Sequence, residues 1–149
     1  MKAKTPPTVE EFTKALKAHG LKATRQRLAV HEAMLTLGHA SADAVAQAIE
    51  AKGRVRMTTA SVYNTLAQMT LLGIYSHRLS ADSRMYFDVC AFRHLHLYDT
   101  EGSTYRDIVD EELLEMVETR IRKKRFKGYK VDGVDIQILC HPTKTKRQI

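Results

Sequence analysis

Cysteine is scarce in this chain, and long apolar runs are missing. Only Cys90 and Cys140 occur among 149 residues. They form no C-x-x-C pair and are too few for a disulfide framework, so a reducing, cytoplasmic setting is the simplest expectation. No stretch approaches the roughly 20 apolar residues of a membrane-spanning helix. Residues 1–10 are polar, with Pro6 and Pro7 and no apolar run, and read as a loose arm rather than a secretory signal. Internal repeats and low-complexity segments are absent too. Acidic residues are outnumbered, 17 against 24 Lys and Arg, for a net charge of +7. Such an excess favours an anionic partner, of which nucleic acid is the commonest.

What is present falls into two parts. Helical periodicity runs over 9–19, with Phe12, Ala15 and Leu16 on one side and Gly20 as the stop. Thr24 suits the N-cap of a second helix over 25–37, and Ser41 that of a third over 42–51, which Gly53 ends. Thr58 or Thr59 caps a fourth over 60–72, closed by Gly73. Residues 74–79 and 84–89 then read as two strands around a polar turn at 80–83. Helices followed by a hairpin make a winged helix-turn-helix. Further on, 95–98 and 104–108 are short strands, 111–124 is an amphipathic helix and 134–139 a closing strand. The expected fold class is therefore α+β: a winged helix-turn-helix DNA-binding domain over 1–88, then a small α/β dimerisation domain over 89–149.

The fourth helix carries the features of a DNA reader. Its start, Thr58-Thr59-Ala60, is built of short residues that permit close approach to a major groove, and Ser61, Tyr63 and Asn64 then offer polar groups to base edges. Val62, Leu66 and Met69 form the buried side. Arg56 just before the helix, Arg25 at the start of the second helix and Lys22 in the turn before it are placed for phosphates. An ordinary amphipathic core helix with a solvated basic flank has the same pattern, so this segment alone leaves both readings open. The run from Arg120 to Lys130 holds seven Lys or Arg residues and reads as the solvated end of a helix, where cations also suit the macrodipole.

His94-Leu95-His96 is the chemically suggestive element of the second part. Residues two apart on a strand point to the same face, so both imidazoles can reach one ion. Asp88 ends the preceding strand, Asp107 lies in the next, and His39 is far upstream. Imidazoles with carboxylates and no thiolate suit a borderline divalent ion such as ferrous iron, manganese, zinc or cobalt. Two exposed strand histidines would give the same H-x-H spacing.

Several segments together resemble the ferric uptake regulator family, and most closely its peroxide-sensing branch. They are G-L-K-A-T-R-Q-R from Gly20 to Arg27, H-A-S-A from His39 to Ala42, and T-A-S-V-Y-N-T-L from Thr59 to Leu66. L-G-I from Leu72 to Ile74, Y-F-D from Tyr86 to Asp88, H-L-H from His94 to His96, and Asp107 complete the set. The resemblance implies a metal-dependent repressor that is a homodimer, binds a double-stranded DNA operator and is not an enzyme. It implies that His39, Asp88, His94, His96 and Asp107 hold one divalent metal per subunit, Fe2+ or Mn2+, with Zn2+ as an alternative occupant after purification. In the peroxide sensors the first carboxylate is an aspartate, as Asp88 is here. There, peroxide reacting at bound iron oxidises a histidine ligand, which points to His39 or His94. Tyr63 would read a base in the major groove and Lys22 would enter the minor groove.

Two departures stand out. Asp99-Thr100-Glu101-Gly102 replaces the first C-x-x-C of many relatives, and Cys140 has no partner two residues on, so the structural zinc is expected to be absent. Arg93, Leu95 and Val134 occupy the positions of a second histidine-rich site, so a single metal site per subunit is expected. Rival readings are an iron- or haem-responsive regulator on the same scaffold, a metal-independent DNA-binding protein with a decayed site, and a non-haem iron enzyme using two histidines and a carboxylate. The enzyme reading leaves the basic N-terminal half unexplained.

Overall fold

The computed structural model of the chain describes residues 5–79, 84–91 and 94–144. The expected turn at 80–83 and Arg93 lie outside the described residues. The chain divides into two compact units, residues 1–92 and 93–149. Val89 and Cys90 stay with the first unit's core, because the Val89 N–H donates to the Gly38 carbonyl at 3.1 Å and both side chains are buried there.

The first unit contains α1 (Val9–Ala18), α2 (Arg25–Leu37), β1 (His39–Ala40), α3 (Ala42–Lys52), α4 (Thr59–Leu71), β2 (Ser76–Leu79) and β3 (Met85–Asp88). Each helix begins where a hydroxyl satisfies an orphan amide: Thr8, Thr24, Ser41 and Thr58 accept from the N–H groups of Glu11, Arg27, Ala44 and Ser61. One feature has no periodicity to announce it. Gly38 takes φ +72° at the end of α2, a backbone region that L side chains rarely adopt. The reversal there lets His39–Ala40 pair as a short strand with β3, giving a sheet of order β1-β3-β2.

Phe12, Leu16, Val30, Met34, Val62, Leu66 and Met69 form the fully buried centre of this unit. One polar group is built into it. The His31 ring stacks on Phe12 with centroids 4.1 Å apart and planes 1° from parallel. Its Nε2 lies 2.7 Å from the Pro7 carbonyl, which can only accept, so Nε2 carries the proton. Nδ1 then accepts from the Tyr75 hydroxyl at 2.6 Å. This satisfies the neutral imidazole completely, and burial pushes its pKa below the usual 6.5.

The second unit contains β4 (Leu95–Asp99), β5 (Thr104–Ile108), α5 (Glu111–Arg122) and β6 (Gln137–Cys140), with sheet order β5-β4-β6. β4 is central: antiparallel to β5 and, after the α5 crossover, parallel to β6. Among the described residues no helix is long and apolar enough to cross a membrane.

Candidate metal centre and nucleic-acid interface

Strand register sorts the expected metal ligands into two sets, one in each unit. In the first unit, β1 and β3 pair with His39 directly opposite Asp88. Their side chains meet, with His39 Nε2 2.9 Å from Asp88 Oδ2, and both are nearly shielded from solvent. The other carboxylate oxygen, Oδ1, accepts from the Cys90 N–H at 2.8 Å. The backbone thus fixes the carboxylate plane and leaves Oδ2 as the oxygen turned toward the imidazole.

In the second unit, β4 and β5 pair with His96 directly opposite Asp107. His94 immediately precedes β4, and its Nε2 lies 3.0 Å from Nε2 of His96. Asp107 Oδ1 is 3.1 Å from the His94 nitrogen and 4.0 Å from that of His96. Donor atoms held by an ion at about 2.1 Å stand roughly 3.0 Å apart at adjacent corners of an octahedron and about 3.4 Å apart in a tetrahedron. Two edges of the His94–His96–Asp107 triangle, at 3.0 and 3.1 Å, have that size, and the third, at 4.0 Å, is wider. Nitrogen and carboxylate oxygen without sulfur are the donors that iron, manganese and zinc accept.

Asp135, which sequence reasoning did not single out, has Oδ1 3.7 Å from His96 Nδ1, the ring nitrogen turned away from the triangle. It lies just before β6, and only the parallel pairing of β6 with β4 brings it there. The two departures noted in sequence also have places. Asp99 Oδ1 accepts from the N–H groups of Glu101 and Gly102 at 2.9 and 3.0 Å. A Cβ on Gly102 would come within 2.8 Å of Asp99 Oδ2, so a side chain there would push this carboxylate aside. Thr100 donates both its N–H and its hydroxyl to the Cys140 carbonyl, at 2.9 and 3.0 Å. Hydrogen bonds therefore tie the β4–β5 turn to the end of β6. Leu95 is fully buried and Val134 half-buried.

The candidate DNA-reading residues separate along α4. Arg56, Tyr63 and Asn64 line one open groove of about 1410 Å³, together with Arg84 at the start of the wing's second strand. Ser61 and Asn64 line a second groove of about 560 Å³, shared with Gln26 and Arg27 of α2. Arg84 and Gln26 were not anticipated; only the packing of the wing and of α2 beside α4 brings them to these grooves. Arg25 lines neither groove and instead borders a depression between α2 and α3. Lys22 is exposed in the turn before α2, and its carbonyl accepts from Arg27 Nη1 at 2.7 Å. Tyr63 is 45% exposed, and its ring meets Phe87 edge-on with centroids 5.8 Å apart.

Comparison with known proteins adds three findings. The ferric uptake regulator family matches residues 18–138. No curated protein sequence matches. Among solved structures, the chain is similar to the ferric uptake regulator of Vibrio cholerae, with TM-score 0.69 and 22% identity over 88% of this chain and 99% of that one. It is also similar to the Pseudomonas aeruginosa ferric uptake regulator with manganese, with TM-score 0.66 and 20% identity over 88% and 97% of the two chains. A Campylobacter jejuni peroxide stress regulator is similar at TM-score 0.62 and 23% identity over 88% and 96%.

Proposed function

The chain belongs to the ferric uptake regulator family of metal-responsive transcriptional regulators, and from that premise we propose that it is a homodimeric repressor gated by one divalent ion per subunit. Fe2+ or Mn2+ is the expected ion, and peroxide the expected signal when the ion is iron. His39 and Asp88 of the first unit and His94, His96 and Asp107 of the second serve this single ion.

The observation that carries the reading is the pair of register matches, His39 opposite Asp88 and His96 opposite Asp107, which align nitrogen and carboxylate donors within each unit. When bound, the ion supplies positive charge that offsets both aspartates and, as iron, reactivity toward peroxide. The chain's own residues do the rest. The Cys90 amide holds Asp88 with one oxygen presented, and the H-x-H pair presents two nitrogens. Ligands drawn from both units make metal affinity depend on how the units are set, so the bound state favours one spacing of the two α4 helices in the dimer. The Pseudomonas structure with manganese supports manganese as an occupant, and the Campylobacter peroxide stress regulator supports peroxide as a signal.

Tyr63, Asn64 and Ser61 read base edges, while Arg56, Arg25 and Lys22 meet the backbone. Val109, Met116, Ile138 and Leu139 are exposed apolar residues of the second unit, and they are the material for contact with a second copy of the chain. With Asp99-Thr100-Glu101-Gly102 in place of one C-x-x-C and no partner two residues after Cys140, the proposal includes no structural zinc. The reading puts the protein's work in the cytoplasm, with DNA as its partner, and assigns it no enzymatic reaction.

The test is manganese titration of chelator-stripped protein, followed through DNA affinity. The expected gain is about 5- to 150-fold, the range of an allosteric coupling. Equal affinity with and without metal overturns the reading.

A further inference from the structure

We propose that Phe87 is a positioning residue that carries the state of Asp88 to the base-reading ring of Tyr63. The inference rests on the reading of Asp88 as a metal ligand and Tyr63 as a DNA reader, and it names the route between them inside the first unit.

Phe87 and Asp88 are consecutive in β3, so their side chains leave the strand in opposite directions. Asp88 turns its Oδ2 to His39. Phe87 turns its ring toward α4 and meets Tyr63 nearly perpendicularly, with planes 78° apart. That edge-to-face arrangement is the one the aromatic quadrupole favours. Phe87 itself has little freedom. It is 3% exposed. It also sits in the middle strand of its sheet, paired with Ala40 on one side and His77 on the other. The His77 ring lies against it as well, with centroids 6.5 Å apart. A shift of β3 at Asp88 therefore moves the Phe87 ring as a body, because close-packed surroundings do not absorb it.

Tyr63 is the soft partner. With 45% of its surface in solvent, much of its ring has nothing packed against it. Without the Phe87 edge, its side chain is free to exchange among staggered rotamers, only some of which aim the hydroxyl along the groove. One edge-on pair is worth a factor of about 2 to 12 in the population of the held rotamer. Losing the contact should cost base discrimination by that factor while leaving the ligand atoms untouched.

The test is a double-mutant cycle of Phe87→Leu and Tyr63→Ala. The probe is a duplex that the wild-type, manganese-loaded protein selects from random DNA, measured against an unselected duplex of equal length. Manganese affinity is read by chelator competition, and thermal denaturation reports folding. Phe87→Leu should reduce the preference for the selected duplex about 2- to 12-fold and leave manganese affinity within about twofold. In the Tyr63→Ala background the same change should cost nothing further, an interaction that a general loss of stability would not produce. A full wild-type preference in Phe87→Leu, or equal losses in both backgrounds, overturns the inference. A wild type that selects no duplex, or selects one equally well without manganese, overturns the proposed function instead. The same cycle read by thermal denaturation of metal-free protein still reports the Tyr63–Phe87 contact, and additivity there counts against Phe87 alone.

Discussion

Replacing Tyr75 by phenylalanine should destabilise the first unit in a way that depends on pH. The substitution keeps the aromatic stack, in which Tyr75 lies 6.1 Å from Phe12 and 5.8 Å from His31 with nearly parallel planes. It leaves a void of no more than one oxygen. What it removes is the hydroxyl that donates to His31 Nδ1 at 2.6 Å, between side chains that are 2% and 0% exposed. Water cannot replace that donor, so the loss is the cost of an unsatisfied buried acceptor, about 1–3 kcal/mol. At a urea slope of about 2 kcal/mol/M, a loss of about 2 kcal/mol lowers the unfolding midpoint by about 1 M. Burial also raises the Tyr75 phenol far above its usual 10. The unfolded chain therefore releases this proton first as pH rises, and wild-type stability is lost progressively above about pH 10. Phenylalanine has no such proton. The gap between wild type and variant should be widest near neutral pH and close as pH climbs past about 10. Urea denaturation followed by circular dichroism at pH 7 and pH 11 measures both. A gap below about 0.5 kcal/mol at pH 7, or one that stays constant to pH 11, refutes the reasoning.

His31 has the opposite limb. Its folded pKa is lowered, mainly by burial, so the unfolded chain binds the proton more readily. The stability it contributes is present above about pH 6.5 and lost as pH falls below it, which urea midpoints at pH 7.5 and 5 would show. Tyr63→Ala should weaken specific DNA binding by roughly 1–3 kcal/mol with manganese affinity retained, and unchanged discrimination between selected and random duplexes would remove it from base reading. His39→Ala should keep weakened metal binding through Asp88, His94, His96 and Asp107 but abolish the roughly 5- to 150-fold metal effect on DNA affinity, whereas His94→Ala should damage metal binding itself. A full metal response in His39→Ala contradicts the cross-unit role. Sedimentation should show a homodimer at micromolar concentration, and a monomer with and without metal contradicts that assignment.

Local chemistry is what the sequence by itself determined. The choice between Thr58 and Thr59 fell to Thr58 only in the structure, but Thr24 and Ser41 cap helices because a hydroxyl one residue before a helix has amides within reach, and that needs no knowledge of the fold. The same holds for the apolar spacing of α4 and for His94 and His96, whose shared face follows from the two-residue period of a strand. Strand periodicity pairs His94 with His96, and the family motifs in order complete the set of five candidate ligands. Register was beyond reach, since a cross-strand partner is set by packing distant in sequence. That packing decided that Asp107 stands opposite His96, that Asp135 sits beside its second nitrogen, and that two residues after Gly38 form a strand. It also placed Arg84 beside Tyr63, moved Arg25 away from α4, and put Phe87 between a candidate metal ligand and a candidate DNA reader. Residues near in sequence share chemistry through backbone geometry alone, whereas residues far apart meet only when burial of the core forces one arrangement of strands and helices.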